Sequence, residues 1–253
     1  MTAVAEVTSE RGGRVSIAPS ILSADFAELA ESVDGVAPET DLLHVDVMDG
    51  HFVPNLTIGP PVVAALHRHC GGVYLDCHLM ITEPERYLER FQEAGASGCS
   101  FHVELGRTAA LIDQTRGLGL DVGMAVNPDT PFESFADHLG AVDLVLLMTV
   151  FPGFGGQAFM AEVLPKIERT AREIRDQGYG AVVQVDGGID VETAPRCAAA
   201  GARVFVAGSA IFGHPDPRLA AAAIREAAGG GSGGPRPWTR REVGHAAAAG
   251  EPG

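Results

Sequence analysis

The sequence predicts one (β/α)8 TIM barrel of the α/β class. The chain has 253 residues, close to the ~250 that such a barrel usually takes. Short apolar runs alternate with helical stretches along most of it, which is the pattern of a parallel sheet with helices outside. The runs are apolar almost throughout, as in the segment from Leu144 to Met148. Parallel strands buried on both faces have this composition.

Eight apolar runs, each bounded by turn residues, are predicted as strands. In chain order they cover residues 15–19, 42–47, 73–79, 98–103, 121–126, 142–148, 181–185 and 204–207. Helical patterns separate the strands and follow the last one. These patterns cover residues 26–36, 61–69, 84–94, 108–118, 132–138, 161–176, 191–200 and 217–228.

The strand count favours a closed barrel over a doubly wound sheet. A dinucleotide-binding sheet would carry G-x-G-x-x-G directly after its first strand, and this chain does not. Its glycine cluster at 153–156 follows the sixth strand instead.

The catalytic domain is predicted to span residues 15–228. Residues 1–14 are polar and are interpreted as a flexible extension. A run of Gly and Ser begins at Gly229, and residues 229–253 are rich in Gly, Pro and Ala without periodicity. We expect this tail to be disordered.

Charge and composition exclude several classes of function. The formal net charge of −15 argues against nucleic acid as a partner. No apolar run reaches the length of a membrane span, and no secretory signal is seen, so a cytoplasmic protein without a membrane partner is expected. Lys166 is the only lysine and lies in a helical pattern, which disfavours Schiff-base chemistry. The four cysteines are not paired as C-x-x-C and are expected to be buried thiols.

Four potential metal ligands fall at predicted strand ends. His44 and Asp46 are two residues apart on one strand, so their side chains point to the same side. A lone histidine there is often an ordinary core residue. However, His78 and Asp186 end two further strands, and two imidazoles with two carboxylates make a divalent metal site. Cofactor candidates are therefore Zn, Fe, Mn or Co.

Other polar and sulfur-containing residues near these strand ends are expected to have roles other than metal binding. Asp49 precedes Gly50 and is expected to be a turn carboxylate. Asp76 is two residues before His78 and is expected to support a metal ligand rather than bind the metal itself. His102 could line the pocket. Methionines end three strands and could either contact a small substrate or fill the core; they are Met48, Met80 and Met148.

Glycine-rich segments follow the last three strands. Gly187 and Gly188 follow the seventh strand, and Gly208 and Ser209 follow the eighth. Backbone N–H groups in these two loops form the usual phosphate site of such barrels, which an acidic protein needs because its overall field repels phosphate. The segment PGFGGQ at 152–157 follows the sixth strand and is interpreted as a lid.

Together these segments resemble the ribulose-phosphate 3-epimerase family, whose barrel is of the ribulose-phosphate-binding type. The resemblance covers the whole barrel and leaves out the first dozen residues and the tail. Phe151 departs from the family, which usually has a polar residue there. The matching segments are APSILSADF at 18–26, HVDVMD at 44–49, VPNLTIGP at 53–60, HLM at 78–80, PGFGGQ at 152–157, VDGG at 185–188 and VAGSAIF at 206–212.

The resemblance implies a metal-dependent epimerase of the pentose phosphate pathway that interconverts D-ribulose 5-phosphate and D-xylulose 5-phosphate. It makes Asp46 the proton acceptor on one face of C3 and Asp186 the proton donor on the other. It makes His44, Asp46, His78 and Asp186 the metal ligands. The substrate would be bound by Ser20, His78, Gly153, Phe154, Gly155, Gly156, Gly187, Gly188, Gly208 and Ser209. A homo-oligomer is expected.

Three alternatives remain. The substrate could be a six-carbon ketose 6-phosphate such as allulose 6-phosphate. A related barrel decarboxylase or aldol synthase would need D-x-K-x-x-D on a strand, and Met48 stands where that lysine would be. A non-catalytic sugar-phosphate-binding barrel is disfavoured by the intact set of ligands, although a fold alone never proves activity.

We predict that a chain ending near Gly229 folds and turns over substrate at the full rate. The residues after it carry three arginines, two glutamates and few large apolar groups, so they offer little to pack against a barrel. Soluble yield and turnover of the shortened chain measure this. A large loss of either would show that the tail docks on the barrel.

Overall fold

In the computed structural model, which describes residues 15–229, eight parallel strands form a barrel with helices outside. This confirms the predicted fold class. The strands are β1 Ser16–Pro19, β2 Leu42–Met48, β3 Tyr74–Met80, β4 Gly98–His102, β5 Asp121–Val126, β6 Leu144–Met148, β7 Val182–Asp186 and β8 Val204–Ala207. The expected extension at 1–14 and all but the first residue of the expected tail lie outside the described residues.

Within the described residues, an α-helix follows every strand except β5, and three of these helices start later than predicted because a turn of 3-10 helix comes first. The α-helices of the described part are α1 Leu29–Val36, α2 Pro60–His69, α3 Leu88–Glu93, α4 Thr108–Gly117, α5 Leu164–Gln177, α6 Ala194–Ala200, α7 Ser209–Phe212 and α8 Pro217–Ala227.

The segment between β5 and β6 differs from the helix predicted at 132–138. It forms two 3-10 turns, Phe132–Ser134 and Ala136–Ala141. Phe132 and Phe135 are both buried, and their rings pack edge to face with centroids 5.2 Å apart. Phe132 begins the first turn, and Phe135 lies between the two turns with φ −132 and ψ −8. The break at Phe135 therefore accompanies the burial of both rings.

Alternation along the strands divides the molecule into two packed regions. On β2, Leu43, Val45 and Val47 join the large hydrophobic cluster between the strands and the helices. Leu42 instead packs against apolar side chains of β1, β3, β6 and β8 inside the barrel. His44 and Asp46 share its direction because they are two and four residues further along. The barrel interior is thus apolar at one end and polar toward the C-terminal ends of the strands.

Glycine is required at position 123 inside the barrel. Gly123 of β5 lies beside Ser100 of β4, and a Cβ on Gly123 would meet the Ser100 Oγ at 1.9 Å. The missing side chain on β5 therefore leaves room for the serine within a packed interior.

The barrel closes between β1 and β2 with help from side chains. Asp41 receives the backbone N–H of Ile17 at 2.8 Å, and its own N–H donates to the Ile17 carbonyl at 3.1 Å. Arg225 of α8 contacts the Asp41 carboxylate at 2.8 Å and donates to the carbonyls of Val15 and Glu39. Helix α8 is thereby attached to the seam where the first two strands meet.

No helix among residues 15–229 is long and apolar enough to cross a membrane.

We predict that Arg225→Leu lowers the free energy of unfolding by about 3–5 kcal/mol, because it leaves the buried Asp41 carboxylate without its cation. The matched control is Arg86→Leu. That ion pair with Glu83 is exposed, and its loss should cost at most ~1 kcal/mol. Urea denaturation measures both, and equal losses would contradict this account of the seam.

Candidate active site

Four side chains converge at the C-terminal end of the barrel. They are His44 and Asp46 from β2, His78 from β3 and Asp186 from β7. One ligand atom from each lies within 4.8 Å of the others. The structure therefore brings together the four residues that the sequence marked as potential ligands.

His44 is oriented from behind by a carboxylate. Its Nδ1 lies 2.7 Å from the Asp76 Oδ2, which also accepts a hydrogen bond from the Gln184 Nε2 at 2.7 Å. A carboxylate accepts, so His44 carries a proton on Nδ1. Its Nε2 is buried without a hydrogen-bond partner and lies 3.3 Å from the Asp46 Oδ1. The His44 Nε2 thus faces the centre of the cluster.

Asp46 contacts residues from both neighbouring strands. Its Oδ2 accepts the Ser20 hydroxyl at 2.6 Å, and its Oδ1 lies 3.1 Å from the His78 Nδ1. The Thr57 hydroxyl donates to the Asp46 backbone carbonyl at 2.7 Å. These contacts fix both the backbone and the carboxylate of Asp46.

The donor set fits a divalent metal ion. Two imidazole nitrogens and two carboxylates are ligands that Zn, Fe, Mn and Co all accept. The buried His44 Nε2 without a partner is the specific sign, because a buried polar atom is normally hydrogen-bonded. The cluster can therefore hold a metal ion.

The two carboxylates of the cluster differ in electrostatic environment. Burial raises the pKa of Asp186 to about 7, and the charge of Asp46 adds to the rise. Burial also acts to raise the pKa of Asp46, but His44 and His78 outweigh it and hold that pKa well below its usual range. Two carboxylates this close repel one another, and a cation among them relieves that repulsion.

A pocket of about 570 Å³, including space open to solvent, lies above the cluster. Asp46 and Asp186 line it, whereas His44 and His78 do not. Among the described residues that line it, none is Lys or Arg. His78 is the one predicted substrate-binding residue that does not line the pocket. The remaining nine do: Ser20, Gly153, Phe154, Gly155, Gly156, Gly187, Gly188, Gly208 and Ser209.

The loop after β6 forms one side of the pocket. The Gln157 side chain donates to the carbonyls of Phe151 and Phe154 at 2.7 and 2.8 Å, closing the loop on itself. The Asn55 Nδ2 ties it to the loop after β2 by donating to the Gly153 carbonyl at 2.8 Å. Phe151 is 46% exposed and does not line the pocket. The sequence had not singled out Asn55 for this contact.

The glycines after β7 allow a close approach of two loops. Gly187 has φ +119, and a Cβ there would meet the backbone N of Val150 at 2.7 Å. The Thr149 hydroxyl donates to the Gly187 carbonyl at 2.6 Å. The backbone after β7 is therefore packed directly against the end of β6, at the wall of the pocket.

Several secondary interpretations can now be judged. Asp49 is a turn carboxylate, as expected, and accepts the backbone N–H groups of His51, Phe52 and Thr82. Asp76 lies behind His44, also as expected. The strand-end methionines Met48, Met80 and Met148 line the pocket, and all four cysteines are free and buried. His102 does not line the pocket but touches His78 from outside the cluster.

Sequence comparisons place the chain among known proteins. A family model described as the ribulose-phosphate 3 epimerase family matches residues 16–212. The ribulose-phosphate 3-epimerase of Mycobacterium leprae is 48% identical over 84% of this chain and 95% of its own. That of Bacillus subtilis is 47% identical over 83% and 98%. The cytoplasmic isoform of Oryza sativa is 46% identical over 85% and 94%.

Solved structures with the same architecture have distant sequences. KGPDC from Streptococcus mutans superposes with a TM-score of 0.65 at 14% identity, covering 85% of this chain and 98% of its own. Orotidine 5'-phosphate decarboxylase from Pyrococcus horikoshii gives 0.63 at 16% identity, covering 85% and 100%. At this identity the likeness supports the barrel fold alone.

We predict that chelator-treated protein binds one Zn²⁺ or Co²⁺ ion per chain. His44→Ala should weaken binding at least ~100-fold, because it removes a ligand rather than a residue behind one. His138→Ala, in the turn before β6 at the other end of the barrel, should bind like the unmodified chain. Titration calorimetry measures all three. Absence of saturable binding to the unmodified chain would contradict the metal site.

Proposed function

This chain belongs to the ribulose-phosphate 3 epimerase family, and we propose that it interconverts D-ribulose 5-phosphate and D-xylulose 5-phosphate by two-base proton transfer at C3. The observation that carries the two-base assignment is the placement of Asp46 and Asp186. Both line one pocket, and they come from β2 and β7, with β1 and β8 between them in the ring. Inversion of a carbon requires proton removal on one face and delivery on the other.

His44, Asp46, His78 and Asp186 would hold the metal ion, which we propose is Zn, Fe, Mn or Co. When bound, it would stabilise the negative charge that develops on the oxygens of C2 and C3 as the proton leaves. The buried His44 Nε2, which has no hydrogen-bond partner, supports this assignment.

Asp46 accepts the C3 proton of the ribulose epimer in this mechanism. The Ser20 hydroxyl donates to its Oδ2 at 2.6 Å and fixes the plane of the carboxylate. Proton transfer needs a donor and an acceptor within hydrogen-bond reach. Asp186 delivers a proton to the opposite face of C3, and the roles reverse when the xylulose epimer is the substrate.

Three methionines would keep water from the reacting carbon. Met48, Met80 and Met148 are each at most 5% exposed and line the pocket at the ends of β2, β3 and β6. A flexible thioether side chain can pack against either epimer. Apolar walls also strengthen electrostatic interactions inside a site.

Backbone amides would bind the phosphate. The net charge is −15, and the described lining of the pocket holds no cationic side chain, so local N–H groups must supply the attraction. We assign this role to Gly187 and Gly188 after β7 and to Gly208 and Ser209 after β8. The loop from Gly153 to Gly156 would cover the substrate as a lid. A cytoplasmic location and a homo-oligomeric assembly stay predictions.

We predict that separate substitution of the two carboxylates separates exchange from epimerisation. In D₂O, the unmodified enzyme should introduce deuterium at C3 of both epimers while converting ribulose 5-phosphate into xylulose 5-phosphate. Asp186→Asn keeps an oxygen ligand but cannot accept a proton. It should exchange the C3 proton of the ribulose epimer through Asp46 while epimerising at least ~100-fold more slowly. Asp46→Asn should exchange the xylulose epimer instead.

Proton NMR follows both reactions in one sample, and metal content is measured on each variant so that loss of the ion is recognised. Either variant epimerising at the normal rate with its metal bound would rule out the two-base assignment.

A further inference from the structure

His78 has a buried neighbour outside the four ligands that the proposed reaction does not use. His102, the last residue of β4, is fully buried, and its Nε2 lies 2.9 Å from the Nε2 of His78. Two ring nitrogens at this distance share one proton between them, because two facing N–H groups would repel. One ring donates and the other accepts.

Glu104 determines which ring donates. Its Oε2 lies 2.9 Å from the Nδ1 of His102. An ionised carboxylate only accepts, so the His102 Nδ1 carries a proton. A neutral His102 then has its lone pair on Nε2 and accepts from the Nε2–H of His78. When a metal ion is bound and Asp46 is one of its ligands, the His78 lone pair would be left on Nδ1, the nitrogen that faces the cluster and lies 3.1 Å from the Asp46 Oδ1.

The chain of contacts parallels the support of the other histidine. Asp76 accepts directly from the Nδ1 of His44 and leaves the His44 Nε2 free toward the cluster. For His78 the carboxylate is that of Glu104, and the ring of His102 lies between the two. In both cases a carboxylate behind the ligand decides which nitrogen has a free lone pair, as is usual for metal-binding histidines.

Glu104 is itself held in place. Its Oε1 accepts the backbone N–H of Asn127 at 2.8 Å and the hydroxyl of Thr130 at 2.5 Å. The ammonium of Lys166 donates to the carbonyls of Asn127 and Pro128 at 2.8 Å each, which fixes the loop that carries these donors. The only lysine of the chain thus serves this loop, and its position in the first turn of α5 agrees with the helical pattern predicted for it.

We propose that Glu104, acting through His102, holds His78 in the tautomer whose Nδ1 binds the metal ion. Both are positioning residues rather than catalytic ones, since neither lines the pocket. The inference rests on the metal site of the proposed function and names two further residues on which that site depends.

Zinc affinity tests the chain of contacts by competition with a chelator of known affinity. His102→Phe keeps a ring beside Phe52, whose centroid is 4.6 Å away, but removes the acceptor for His78. Its affinity should fall about 10- to 100-fold. Glu104→Gln keeps an acceptor oxygen without the charge and should lose less. His138→Phe, outside the site, should bind like the unmodified chain. The metal-free melting temperature shows whether each variant is folded.

Nitrogen-15 NMR of the histidine rings tests the same idea without a variant. In the zinc-loaded protein, His102 should be protonated on Nδ1 and His78 on Nε2. A packing role for His102 does not require this pair of tautomers.

A zinc-loaded His102 protonated on Nε2 alone, or a folded His102→Phe variant with unchanged zinc affinity, would overturn the inference while leaving the metal site intact. An unmodified chain that binds no zinc would overturn the metal site, and this inference with it.

Discussion

The Asp46 carboxylate is the point on which the organisation of the site depends. A buried carboxylate costs several kcal/mol unless its oxygens are satisfied. Asp46 meets this constraint by contacting Ser20 at the end of β1 and His78 of β3, together with His44 of its own strand. The hydrogen bonds that offset its burial therefore tie three adjacent strand ends together. They do so near the seam where the first strand closes the barrel onto the second, between Ser20 and His44.

A second layer of buried polar residues supports the first. Asp76 and Gln184 reach His44 through one carboxylate oxygen, and His102 reaches His78. These residues face the barrel interior from β3, β7 and β4 because each is at an alternate position of its strand. An interior filled with aliphatic side chains would be simpler to pack. The polar layer instead fixes the orientation of two rings whose nitrogens must point at one place.

Neither the net charge of the protein nor the described lining of the pocket offers positive side-chain charge to an anionic substrate. The protein as a whole is strongly acidic, and its pocket gathers two carboxylates without a cationic side chain among the described lining residues. An anionic substrate would then be attracted by backbone N–H groups and by a bound cation rather than by Lys or Arg. Glycines beside the pocket let the backbones of two loops lie close together, as Gly187 does against Val150.

The sequence alone determined the class of fold and the membership of the central cluster. Buried parallel strands have unmistakable composition, and His44 and Asp46 are two residues apart on one of them, which by itself places both side chains on one face.

The sequence did not determine the long-range contacts between side chains of different elements. Three of these contacts join residues far apart in the chain: His102 with His78, Asn55 with Gly153 and Arg225 with Asp41, which are 24, 98 and 184 positions apart, respectively. Such contacts depend on strand register and on the closing of the barrel, which local periodicity does not encode. The break between the two 3-10 turns at Phe135 likewise depends on tertiary packing, since burial of Phe132 and Phe135 outweighed a weak helical preference. Tertiary structure decided which nitrogen of each histidine faces the cluster, because the residue packed behind each ring comes from another strand: Asp76 behind His44 and His102 behind His78.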